Sequence, residues 1–505
     1  MSRSKNFIFN TAWAAIYQIV IMAVGFITPR IMLQFYGSEV NGLLTSITQF
    51  ITYFSLVEAG LSGASVYSLY KPLAEKNYKK VSSIVVATRN FYNISGYIFS
   101  ILILGLAIGY SILIESSTLS PIYVFALVIV LGFTGAVDFF SLGKYRALLT
   151  ADQKMYIISL ASAISIIVNT VIIVFMSYYR INIVIVRAVA LSSILLRSFI
   201  FILYVHKNYA YINYKEEPDN SSLSKRWDAL YLQILGAVHT GAPVIIATIF
   251  TNLKTVSIYG IYYMVIGGIN GILGVFTSGL SASFGDIIVR KQWDILKKAY
   301  QEFEFVYYNL ITIVYGIAMV TIMGFINLYT KDITDTNYNI PVLGFLFVLN
   351  GLLYNIKTPQ GMMVISAGLY KETKIQTTIQ GGVAVVLGVL LAPKFGLIGI
   401  LIGSCISNLY RDVDLIFYIP KKVTGLPVIN TTKRVIRLII NMILICIPFH
   451  IFRLNVNNYC QWVIDAIVVG SYAILIVIIS SLFFDIESCK TLFQRIKGML
   501  NKNYR

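Results

Sequence analysis

Charge, cysteine and histidine are all scarce in this chain. Asp, Glu, Lys and Arg make up 12% of its 505 residues, about half the share of a soluble globular domain, which is roughly 25%. The four cysteines form no CxxC pair: Cys405 and Cys446 lie inside apolar runs, and Cys460 and Cys489 lie near run ends. That scatter indicates neither a disulfide framework nor a zinc site. Three histidines leave little for acid–base chemistry, and without a Gly-rich Walker loop ATP is not a direct energy source. No metal and no cofactor is expected.

What is present is apolar. The chain is 57% hydrophobic, with mean hydropathy +0.76. Runs of roughly twenty apolar residues alternate with short polar joints, and such a run spans a hydrocarbon core of about 30 Å as a helix. The runs fall near 10–29, 41–66, 90–113, 121–140, 155–176, 182–205, 229–250, 257–280, 303–327, 340–356, 375–392, 396–418, 435–452 and 461–484. The expected fold is therefore all-α and polytopic, with about 14 transmembrane helices. The first run is too long for a signal-peptide core and is read as a span that stays.

Basic residues sort by joint. With the termini, one set of alternate joints holds 31 of the 40 Lys and Arg, and the opposite joints hold six: Arg30, Arg180, Lys254, Lys331, Lys394 and Arg453. The remaining three, Arg187, Arg197 and Arg411, lie inside spans. Cytosolic loops collect positive charge, so both termini are expected in the cytosol. The net charge of +18 then faces anionic membrane lipids rather than nucleic acid, for which no basic stretch interleaved with stacking aromatics is present. The joint at 207–228, with its Pro, Asp, Asn and Ser cluster, reads as a linker. It separates a lobe at 1–206 from a second at 229–420, followed by a helix pair at 421–484 and an amphipathic tail at 485–505. A parallel repeat is allowed by that division, and Pro29–Tyr36 and Pro243–Phe250 echo each other with the same spacing. The stretch 285–302 reads as an amphipathic helix on the membrane surface.

Charged groups at mid-bilayer cost about 2.5–3.5 kcal/mol on insertion scales, so those kept there face a partner or a cavity. Glu58 lies among Ala59, Gly60, Ser62, Gly63 and Ala64, and either pairs with an intramembrane arginine or lines a pathway. Arg187 and Arg197 are ten residues apart, about 80° around one helix, and either border one cavity or reach toward opposite headgroup layers. Asp138 ends the fourth span, and His239 is at the centre of the seventh, a relay or a structural residue. Arg411, Asp412 and Asp414 read as a salt-bridge cluster at a cytosolic helix end or as part of a pathway. Asp465 snorkels. Asn252, Asn270 and Asn350 serve as interhelical glue or as contacts to substrate hydroxyls. Arginines in a low-dielectric cavity suit an anion, above all a phosphate matched by the planar guanidinium fork.

Several stretches carry a resemblance: TPRIMLQFYGSEVNGLLTSI, LVEAGLSGASVYSLYKPLAEKN, KYRALLTADQKMYIISL, PQGMMVISAGLYKETKIQ and LAPKFGLIGILIGSCIS, in that order along nearly the whole chain. They resemble the oligosaccharide-lipid flippases of bacterial surface-polysaccharide export (O-antigen or capsule), within the multidrug/oligosaccharidyl-lipid/polysaccharide exporter superfamily. The resemblance implies two six-helix lobes around a central cavity, plus a C-terminal helix pair. It implies movement of an undecaprenyl-diphosphate-linked oligosaccharide across the cytoplasmic membrane by alternating access, not enzymatic catalysis. Arg30, Arg187 and Arg197 are then expected to contact diphosphate or sugar. Glu58, Asp138 and His239 are expected to couple a cation (H+ or Na+) or gate, with Arg411, Asp412 and Asp414 a secondary cluster. A polysaccharide polymerase and a chain-length regulator are the implied protein partners. Competing expectations are a cationic-drug antiporter of the same superfamily, whose cavity would be acidic, and a membrane polymerase, which the short outer joints disfavour.

Overall fold

Inside hydrocarbon a backbone amide finds no water, so an apolar run that crosses must satisfy its own hydrogen bonds as a helix. The computed structural model describes residues 3–491 and 494, except 59–60, 115, 221–225, 278–279, 452–453 and 455; the side chains of 3–8, 61–62, 226–235, 239 and 282 also lie outside the description. Leu492, Phe493, Ile496 and Leu500 of the expected amphipathic tail fall outside it too. The described chain is helical, with no strand. In order the helices are α1 (Arg3–Phe54), α2 (Leu61–Ala74), α3 (Tyr78–Leu113), α4 (Pro121–Val137), α5 (Gly143–Ala151), α6 (Met155–Tyr178), α7 (Ile183–Ala190), α8 (Ser192–Asn208) and α9 (Arg226–Phe250). Then follow α10 (Leu253–Thr277), α11 (Leu280–Val289), α12 (Trp293–Tyr329), α13 (Pro341–Ile356), α14 (Thr358–Ser366), α15 (Lys374–Ile419), α16 (Val428–Ile451) and α17 (Tyr459–Phe484).

Eleven helices among the described residues are long and apolar enough to cross a membrane. Two are double length. The 52 residues of α1 would reach about 78 Å at 1.5 Å per residue, more than twice the hydrocarbon thickness. It breaks at Gly37 (φ 82°) and α15 breaks at Gly396 (φ 55°), positive φ values that only glycine adopts cheaply. Dividing both at these glycines and adding the shorter apolar segment Thr240–Phe250 yields the fourteen crossings expected. The chain is thus a multi-pass membrane protein. One expected helix, 285–302, is instead a helical hairpin. Lys291 takes φ 57°, and the Lys291 and Gln292 amides donate back to Ile288 and Ile287, ending α11 before α12 begins.

Packing divides the chain into two compact units, Met1–Gly260 and Ile261–Arg505. In the first, α1 lies along α6, and its second half also receives α9 and the start of α10. That approach is close: a Cβ on Gly42 would stand 1.8 Å from the Leu253 carbonyl oxygen. Beside it Asn41 donates to Ser257 at 2.8 Å, and the Ser46 and Thr248 hydroxyls meet at 2.6 Å. At the α1 break, Glu39 accepts from the Ser116 hydroxyl and Ser117 amide at 2.6 and 2.7 Å, tying the α3–α4 joint to it.

The joint after α8 is a docked strap rather than a free linker. Tyr209 and Ile212 are buried, the Ser83 hydroxyl donates to the Glu217 carbonyl at 2.6 Å, and the Tyr211 and Tyr78 rings lie 4.2 Å apart. Burial, with the Asp152 charge, pushes the Tyr211 hydroxyl up to about 12. The sequence marked the turn formers at 218–222 and missed Tyr209 and Tyr211, which hold the first part of the joint in place.

In the second unit α12 packs against α13, α16 and α17, and α13 against α15. Where α16 begins and α17 ends, Glu304, Arg434 and Asp485 form a buried network. Arg434 donates to Glu304 at 2.9 Å and to Asp485 at 2.8 Å, while Thr431 donates to Glu304 at 2.7 Å. Burial alone would raise the Asp485 carboxyl, but hydrogen bonds from Arg434 and Ser488 and the Arg434 and Arg437 charges outweigh it and hold the group below its ordinary range. A depressed folded value adds stability above the unfolded value near 4, and that stability is lost as pH falls through the folded value. Asp485→Asn should therefore cost about 1.5–3 kcal/mol at pH 7, and the cost should shrink in acid. Thermal unfolding of the solubilised chain across pH checks this; an equal penalty at low and neutral pH would refute the linkage.

Candidate functional site

The first unit gathers four ionised side chains from four elements. After Phe54 the chain tightens into a 3₁₀ turn, Ser55–Glu58, that ends on Glu58. After α4 it loosens into a π-helical turn, Asp138–Leu142, a rare geometry that recurs at functional sites. Asp138 opens that turn, Arg146 follows on α5 and Arg197 comes from α8. Arg197 donates to Asp138. Arg146 stands 3.7 Å from Asp138 and 4.0 Å from Glu58, with Tyr92 beside Glu58. The chain of charge runs Glu58–Arg146–Asp138–Arg197 and sums to zero. Arg146 touches both carboxylates only at Coulomb range, so neutralising either one loosens its hold on that side.

Arg187 stands apart. The span expected to run unbroken through both arginines is two helices, α7 and α8, meeting at Leu191. Both arginines carry a buried Nε without a hydrogen-bond partner; Arg197 has the Asp138 carboxylate, whereas Arg187 makes no ion pair among the described residues. Its titratable neighbour is Tyr36, whose hydroxyl donates to the Ile181 carbonyl at 2.7 Å. Arg30 lies on α1, half-buried. His239 lies on α9 with its side chain outside the described residues.

The second unit holds another polar cluster, on α13 and α15. Lys357, just after α13, donates to Asn408, and Asn408 donates to Asn350 at 2.9 Å. Of the three charged residues expected together on α15, two pair with each other. Arg411 donates to Asp414 at 2.5 Å and to Thr377 at 3.1 Å. Asp412, 3% exposed, faces Lys357 instead, and neither of its oxygens accepts a side-chain hydrogen bond. Nearby, Asn270 accepts from Tyr315 and Asn355, both at 2.8 Å. Asn252 caps α10 by accepting from the Thr255 amide at 2.9 Å. Among the described residues no three His, Cys, Asp or Glu side chains converge as a metal site would require.

Arg146 and Lys357 escaped the sequence reading because each sits in a basic joint, where a lysine or arginine is ordinarily solvated. A signal existed for Arg146: it follows Asp138 by eight residues, about 80° around a continuous helix. None existed for Lys357.

No family model and no curated protein matches the chain. Solved structures do. An inward-facing multidrug resistance MATE family transporter of the MOP superfamily aligns with TM-score 0.67 and 15% identity over 81% of this chain and 99% of its own. The lipid II flippase MurJ, in an inward closed conformation, aligns with TM-score 0.64 and 16% identity over 94% and 99%. A MATE in the bent conformation aligns with TM-score 0.55 and 15% identity over 81% and 95%. The chain shares the fold of these transporters.

If Asp138 and Arg197 act as a pair, their substitutions are not additive. In a cycle of Asp138→Asn, Arg197→Gln and the double variant, thermal stability should show a coupling of about 1–2 kcal/mol. Simple additivity would dissolve the pair.

Proposed function

We propose that this protein is a flippase for a lipid-diphosphate-linked oligosaccharide, carrying an undecaprenyl-diphosphate repeat unit from the inner to the outer leaflet of a bacterial cytoplasmic membrane for surface-polysaccharide assembly. The observation that carries the reading is Arg187. Arg187 is half-buried, with its Nε buried and no carboxylate beside it; a charge so placed is costly, and a phosphorylated headgroup supplies an anion with matching geometry. Arg30 and Arg197 are assigned to the same headgroup and its sugar, Arg197 reaching it by exchange from Asp138. The MurJ neighbour is named a lipid II flippase, and the likeness in fold makes a lipid-linked cargo sterically reasonable for a chain of this length. A polymerase and a chain-length regulator downstream would take the delivered unit.

Glu58 and Asp138 are assigned to coupling, with His239 as a further candidate. A proton or Na+ arriving at Glu58 weakens its hold on Arg146, and that shift passes to Asp138 and so to Arg197. An inside-negative potential also favours outward movement of an anion, by about 2.3 kcal/mol per charge per 100 mV. With both termini in the cytosol, the basic joints face the leaflet where the substrate is made.

A second reading has its own observation. Asp412, buried with unsatisfied oxygens opposite Lys357, suits proton exchange in an antiporter for cationic compounds, and multidrug transporters share the fold. Translocation in inverted vesicles separates the two. A flippase moves a lipid-diphosphate oligosaccharide only when the protein is present, and Arg187→Ala should slow this about tenfold or more. Glu58→Gln and Arg197→Ala should also lower transport with the protein still in the membrane. Unchanged lipid movement alongside proton-driven efflux of a cationic dye would replace the first reading with the second.

A further inference from the structure

The terminal helices carry a cavity unrelated to either cluster above. It measures about 290 Å³ and opens between the start of α12, the start of α16 and the segment just after α17. These are basic-rich helix ends, the side that charge asymmetry assigns to the cytosolic leaflet. Its wall includes Lys298, Lys433, Arg434 and Arg437. Arg434 is fully engaged, with Nε on Asp485, Nη1 on Glu304 and the Gln301 carbonyl, and Nη2 on Ser488. Arg437 is not. Only 4% exposed, it donates from Nη2 to Asn309 at 2.9 Å, but its Nη1 has no hydrogen bond and the nearest carboxylate, Asp485, is 4.0 Å away.

A buried guanidinium N–H without an acceptor is destabilising, and this one lines a space large enough to hold an acceptor. Lys298 and Lys433 are exposed and make no ion pair among the described residues, so two further cations stand over the same space. Arg434 is shared between Glu304 and Asp485, and Glu302 and Glu487 stand on the wall opposite the two lysines, so an anion is called for by the unanswered Nη1 of Arg437 and not by an excess of positive charge. The rim is apolar. Phe483 and Phe484 are 82% and 71% exposed at the end of α17, and Ile478, Ile479 and Leu482 are exposed along the preceding turns. Cations over an unsatisfied guanidinium, beside an apolar helix face, suit a phosphate attached to acyl chains.

We propose that this cavity binds the phosphate of a membrane phospholipid. The phosphate accepts from Arg437 Nη1, with Lys298 and Lys433 as mobile counter-charges, and the acyl chains follow the exposed face of α17. Bound there, the lipid completes the charge network that joins α12 to the terminal pair. The assignment is independent of the transported substrate, since it uses none of the residues given to transport.

Native mass spectrometry of the full chain in detergent, exchanged against phosphatidylglycerol, phosphatidylethanolamine and diacylglycerol, tests it. Both phospholipids should be retained and diacylglycerol should not. Each of Lys298→Gln and Lys433→Gln should weaken retention about fivefold, and the pair about 25-fold, more at low salt than high. These exposed positions keep the test valid should Arg437→Ala fail to fold. Equal retention of diacylglycerol, or no loss in the double variant, overturns the proposal. Thermal stabilisation by inorganic phosphate without phospholipid retention overturns the lipid as its source.

Discussion

One constraint organises this molecule: in a span without water, every charge must find an opposite charge or a ligand. Among the described residues, most buried charges within the spans and at their ends obey it inside the chain. Arg197 has Asp138, Arg411 has Asp414, and Arg434 has both Glu304 and Asp485. Where such pairs form they join helices distant in sequence, and so they help specify which helix lies beside which. A buried pair need add little net stability to do this, because breaking it leaves an uncompensated charge behind.

The exceptions are therefore informative. Arg187 and Arg437 each keep a buried N–H without an acceptor, and Asp412 keeps two oxygens without a donor side chain. The two arginines point to anions of similar chemistry in different places, one assigned to the cargo and one to a structural lipid. The carboxylate opposite Lys357 is the observation behind the rival antiporter reading.

Composition and period were enough for the helices, because a 30 Å apolar run has one way to satisfy its backbone. The breaks at Gly37 and Gly396 were less legible: each is a single backbone torsion, and the sequence there shows only one more glycine among 35. The hairpin at Lys291 was invisible, since a lysine at positive φ follows from the packing on either side rather than from propensity. The docked strap after α8 was hidden for a related reason. Its turn-forming cluster reads as a linker, and the tyrosines that pack it down give no signal until the surface they cover is known.

The sequence by itself determined the class of solvent, the number of crossings and which charges are out of place, all of which follow from transfer free energies that each residue carries independently. Only the tertiary structure decided which of those charges are answered. It drew Arg146 out of a solvated joint to stand between Glu58 and Asp138, divided the Arg411 cluster into a closed pair and an open acid, and left Arg187 alone. Pairing depends on distances between helices, and distance between residues far apart in the chain is not written in any one of them.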